Sequence, residues 1–111
     1  MAANVNEVYG EVGEATVDER IDAGRRFAKE ASEKIPGYSF RLKTSPSTKK
    51  PGEVFVTVYV NGKGGTKPGR IGFGKFATPM LFPENETDAE AFVNAADAVG
   101  IKLKANFPAA E

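Results

Sequence analysis

The sequence predicts an α+β domain: an antiparallel β-sheet of three to five strands, packed on one face by an N-terminal and a C-terminal helix. Three observations predict it. Two segments open with a capping-box pattern and continue with apolar residues at helical spacing, one near residue 17 and one near residue 88. Between them, residues 53–60 alternate strictly, with Val54, Val56, Val58 and Val60 on one side and Phe55, Thr57 and Tyr59 on the other. Glycine and proline then punctuate the chain on both sides of this strand, as hairpin loops require. A chain of 111 residues is long enough to bury a core without crosslinks, so one domain over residues 16–107 is expected, with tails at 1–15 and 108–111.

Residues 1–15 read as a tail that could include a short strand around residues 5–12. Thr16-Val17-Asp18-Glu19 is a capping box, and the helix it opens should run over residues 17–34 and stop at Pro36-Gly37. Val17, Ile21, Gly24, Phe27, Ala28, Ala31 and Ile35 form one narrow stripe of small and apolar residues, which would let this helix lie close to a sheet. Residues 38–43 alternate again, with Tyr38, Phe40 and Leu42 inward and Ser39, Arg41 and Lys43 outward. A polar loop, TSPSTKKPG, leads to the valine strand. Asn61-Gly62 is a hairpin signal because both residues tolerate positive φ, and the turn is expected to continue through residue 69. Residues 70–76 read as the return strand, with Ile71 and Phe73 on one side.

ATPMLFP, residues 77–83, reads as an apolar connector bounded by prolines. Thr87-Asp88-Ala89-Glu90 is a second capping box, opening a helix to about residue 99 with Ala89, Phe92, Val93, Ala96 and Val99 on one face and Gly100 at its end. Ile101, Leu103, Ala105 and Phe107 alternate with polar residues, so a short closing strand is expected.

Composition narrows the chemistry. The chain has no Cys and no His, which removes thiolate ligands, disulfides and the commonest general base. No secretion signal opens it, and no apolar run approaches the 18 or so residues that cross a bilayer. A cytoplasmic or nucleoid-associated protein is expected, and Asn85-Glu86-Thr87 is then a chance glycosylation match. The glycine-rich run 64–71 lacks the Lys-Ser/Thr ending of a phosphate loop, and the glycines at 72 and 74 fall inside a predicted strand rather than between strand and helix. Carboxylates gather at helix N-termini, where they serve the helix dipole. No catalytic residues, metal or cofactor are expected.

What remains is charge and aromaticity. The net charge is zero, but residues 38–75 hold eight basic residues and one acidic, while 1–37 hold five basic and eight acidic and 76–111 hold two and six. Segregation of this kind can mark a surface for a polyanion. It can equally match a basic sheet to the acidic helices of a neighbour. Exposed aromatics beside cations and glycine-lysine loops fit single-stranded nucleic acid, because cations neutralise phosphates while rings stack bases regardless of sequence. The residues expected to do this are Arg41, Lys43, Lys63, Lys67, Arg70 and Lys75 for phosphates, and Phe55 and Tyr59 for bases. The alternative expectation is a non-enzymatic interaction subunit, with Phe55 and Tyr59 covered by a second layer or a partner.

GTKPGRIGF, residues 65–73, together with the helix that follows, resembles the transcriptional coactivator family known as positive cofactor four. The resemblance implies a dimeric, single-stranded-DNA-binding sheet with a dimerising helix, and phosphate contacts from Lys67, Arg70 and Lys75. The N-terminal capped helix, the segment before the second helix and a closing strand depart from that pattern. Independently, the sheet edges and the apolar faces of two helices exceed what one small sheet is expected to cover, so a homodimer built on the C-terminal helix and its adjacent strand is expected.

Overall fold

The computed structural model describes residues 14–106. Its elements run α1 (Val17–Lys34), β1 (Tyr38–Pro46), β2 (Val54–Gly62), β3 (Gly69–Phe73), β4 (Pro79–Pro83), α2 (Glu86–Ala98) and β5 (Lys104–Ala105). The five strands form one sheet in chain order. The first three pairings are antiparallel and the last, β4 with β5, is parallel. Both helices lie on the same side of this sheet, so the α+β architecture expected from sequence is the one observed. No helix among the described residues is long and apolar enough to cross a membrane.

The first helix begins as its sequence dictates. The Thr16 hydroxyl accepts from the Glu19 amide at 3.1 Å, and the Glu19 carboxylate accepts from the Thr16 amide at 2.8 Å, closing the capping box. Its small-residue stripe faces the sheet: Gly24, Phe27 and Ala31 are buried, and Ile35 follows them into the core. A Cβ at Gly24 would stand 3.0 Å from Leu42 Cδ1, so the absence of a side chain there sets how closely helix and sheet approach.

The core is the layer between. Val56, Val58, Val60, Ile71, Phe73 and Leu81 come from the sheet, and Phe27, Ala31, Ala89, Phe92 and Ala96 from the helices. Phe40 joins the two helices: its ring lies 6.3 Å from Phe27 of α1 and 5.9 Å from Phe92 of α2. Such aromatic pairs add about 0.5–1.5 kcal/mol each beyond the area they bury.

Five expectations change. Asn61 and Gly62 do not turn; they extend β2 and pair with Ser39 and Tyr38 of the long first strand. The reversal comes later, with positive φ at Gly64 and Gly65, and the chain folds back so tightly that Thr66 Oγ1 occupies the space a Gly62 side chain would need. The return strand is correspondingly shorter, ending at Phe73. The connector 77–83 contains a strand, β4, which pairs with β3 along its whole length. Its two prolines stand at the strand ends, where the missing amide leaves the ladder intact.

The second helix is capped by Asn85, not Thr87, with the Asn85 Oδ1 accepting from the Asp88 amide at 3.0 Å. That bond gives the Asn85-Glu86-Thr87 match a structural role. The closing strand shrinks to the two residues of β5. The strand considered around residues 5–12, and Phe107, lie outside the described residues.

Candidate nucleic-acid interface

Alternation makes two faces of the sheet, and the helices cover only one. On the other, the register sets side chains in rows across four strands. One row is Arg41, Tyr59, Arg70 and Phe82, on β1 to β4 in order. The next is Lys43, Thr57, Gly72 and Met80. Phe55 stands opposite Ser45 at one end and Asn61 opposite Ser39 at the other. With strands about 4.8 Å apart, the first row spans roughly 14 Å.

That row alternates cation and ring. The Arg41 guanidinium carbon lies 5.5 Å from the centre of the Tyr59 ring, and that of Arg70 lies 5.6 Å from the centre of Phe82. Both distances suit attraction between a cation and an aromatic face. Phe55 is 58% exposed and Phe82 36%, although large apolar side chains normally go to the core.

Among the described residues, the cations of this face form no ion pairs. Ion pairs among the described residues join Arg26 to Asp22, Lys34 to Glu30, Lys75 to Glu14 and Lys102 to Asp97. None of them uses Arg41, Lys43 or Arg70. No Asp or Glu occupies an outward position on β1 to β4; Glu84, just past β4, borders the row at its Phe82 end.

The eight residues singled out from sequence divide into two groups. Arg41, Lys43, Phe55, Tyr59 and Arg70 come together on the open face. The other three lie beyond its ends. Lys63 begins a short 3-10 turn and its amide donates to the Gly37 carbonyl. Lys67, in the loop before β3, lies beside the start of α2, where its amide donates to Asp88 Oδ2 at 2.9 Å and its carbonyl accepts from the Asn85 amide. Lys75 is in the turn between β3 and β4, at the opposite end of the sheet, with its ammonium 3.8 Å from the Glu14 carboxylate. The resembling motif accordingly bends away from the face at Lys67 and rejoins it at Arg70.

Local packing explains the motif's other residues. Pro68 is buried, and Gly69 has φ of +136° with the Phe82 carbonyl oxygen where a side chain would begin. Only glycine fits that position. The close approach locks β3 onto β4 and so places Arg70 beside Phe82.

Three contributors escape sequence reasoning. Phe82 and Met80 lie in the proline-bounded segment 77–83, where the only strand signal is their alternation about Leu81. Arg20 belongs to α1, but it reaches the far end of the sheet. Its Nε donates to the Phe73 carbonyl and its Nη2 to the Val54 carbonyl, both at 2.8 Å. These bonds bridge β2 and β3 where their ladder has ended, since pairing between them stops at Thr57 and Gly72. A hollow of about 560 Å³ opens in the face there, bounded by Phe55, Tyr59, Met80 and Phe82, with Gly72 in its floor and Arg20 at its inner end.

No protein-family model, curated protein or solved structure matches this chain. The functional reading therefore rests on the chemistry of the face.

Proposed function

We propose that this chain is a single-stranded nucleic-acid-binding protein of low sequence specificity, without catalytic activity of its own. The observation that carries the reading is the row Arg41–Tyr59–Arg70–Phe82 on a sheet face that the helices leave open and, among the described residues, whose strands present no carboxylate. Arg41, Lys43 and Arg70 neutralise phosphates, and Tyr59, Phe55 and Phe82 offer rings to bases. Lys63 and Lys67 extend the positive potential past one end of the face, while Lys75 lies past the other beside the Glu14 carboxylate. Low specificity follows from stacking, because every base has a π-face. The resemblance of GTKPGRIGF to the positive cofactor four family supports the same reading.

Homodimerisation belongs to the proposal. Phe92 and Ala96 are buried within the protomer, so the apolar surface for a partner is Val99 with the groove beside it, lined by Pro79, Met80, Val93, Ile101 and Leu103. Light scattering at micromolar concentration should give twice the chain mass; a mass of one chain, unchanged on dilution, rejects the dimer.

Fluorescence anisotropy with a labelled single strand tests the main reading. Micromolar binding at low salt is expected, and F55A/Y59A should lose most of it while the fold persists. If that variant instead loses its fold or its assembly and no strand is bound, the interaction-subunit reading replaces this one.

A further inference from the structure

We propose that the hollow over Gly72 seats one unpaired base of the bound strand, an inference that rests on the nucleic-acid reading above. Its walls are rings and a thioether: Phe55 on one side, Tyr59 and Phe82 on the other, Met80 along the β4 side. Phosphates do not belong against such walls, but the faces of a base do. Phe55 and Tyr59 are four residues apart on one strand, which separates their backbones by about 14 Å at about 3.4 Å per residue. That gap lies over Thr57, and in the neighbouring strand over Gly72.

Gly72 makes the hollow. It is the one outward position of β3 between the Arg70 row and the end of the strand, and it has no side chain. The Phe82 ring overhangs it, with Cε2 3.1 Å from the point where a Cβ would lie. At the inner end, Arg20 uses two of its five N–H groups on the Val54 and Phe73 carbonyls. The remaining donors suit a base carbonyl or ring nitrogen. The rim carries Arg70, with Lys43 in the Gly72 row, so the sugar-phosphate chain has cations where it enters and leaves.

Insertion needs a base whose faces and edge are free. A duplex can supply one only by unpairing and unstacking it. The hollow thus turns an electrostatic surface into one that prefers single strands.

Gly72→Val tests this. Gly72 has ordinary extended backbone and β-branched residues suit strands, so the variant should fold once Phe82 swings aside, which circular dichroism checks. Binding is measured for a labelled oligothymidylate and for an abasic strand of the same length. Wild-type protein should prefer the thymidylate by about fivefold to a hundredfold, the range expected for stacking one base. G72V should bind both strands with the abasic affinity and an unchanged salt dependence. Phe55→Leu, at an exposed position, should lower the preference in the same way and decides the matter if G72V fails to fold. Equal wild-type affinity for the two strands, or a preference that survives both substitutions, overturns the hollow while leaving the electrostatic reading in place. Wild-type protein that holds neither strand overturns the nucleic-acid reading and the hollow with it.

Discussion

Replacing Arg41 and Arg70 together by alanine isolates the electrostatic part of binding. Each phosphate neutralised on a single strand contributes about −0.7 to the slope of log K against log salt. Arg41, Lys43 and Arg70 are the outward cations of the strands, and none has an ion-pair partner among the described residues. R41A/R70A should therefore have a slope shallower by about 1.4 than wild type. Lys63, Lys67 and Lys75 contribute equally to both proteins and cancel in the difference. Between 50 and 200 mM salt the wild type should lose about sevenfold more affinity than the variant.

The assay is an anisotropy titration of a labelled single strand at several salt concentrations. The variant should fold, because a guanidinium over a ring at the surface contributes about 0.5–1 kcal/mol, and the two losses leave a typical domain folded. The decisive quantity is the slope. Equal slopes for the two proteins would show that neither arginine meets a phosphate, and the reading of this face would fail.

Five further substitutions test the fold that holds the face. Asn85→Ala should destabilise by about 1 kcal/mol through loss of the α2 cap, while Thr87→Ala should be nearly neutral; thermal melts of the pair distinguish the two caps. Gly69→Ala should destabilise by about 3 kcal/mol or more, because it meets both a positive φ and the Phe82 carbonyl, and urea denaturation reads the loss directly. Gly24→Val should push α1 from Leu42 and Val56 at about 1–3 kcal/mol, and a variant as stable as wild type contradicts the close helix–sheet contact. Arg20→Met should remove about 2–3 kcal/mol by leaving the Val54 and Phe73 carbonyls without their charged donor, with hydrogen exchange rising first at the adjoining ends of β2 and β3.

Much of the helical part was legible because its signals are local. The box at Thr16 and Glu19 closes within one turn, and the stripe from Ile21 to Ile35 repeats with the helical period, so neither depends on a distant partner. The alternation in β1 and β2 identified the inward valines and the outward Phe55 and Tyr59 for the same reason. Errors came where two local signals competed. Asn61-Gly62 suits a tight turn, but β1 is long enough to pair with both residues, and the ladder prevails over the turn preference. Thr87 with Glu90 matches a capping box, yet Asn85 stands two residues earlier at the end of β4, where the chain has to start the helix to pack Phe92 against Tyr38 and Phe40.

The composition of the open face divides along the same line. Which side chains point away from the core within a strand follows from a period of two, and the sequence by itself determined that Arg41, Lys43, Phe55, Tyr59 and Arg70 carry unusual outward chemistry. Their assembly into one row is a matter of register, and register depends on three successive strand pairings that link Arg41 through Tyr59 and Arg70 to Phe82. Tertiary structure alone decided that Phe82 completes the row, that Lys63, Lys67 and Lys75 fall beyond its ends, and that Arg20 crosses from a helix to bridge two strands. The physical reason is that a five-residue strand such as β4 carries too little periodicity to declare itself, and is held extended by the β3 ladder beside it and the core beneath Leu81.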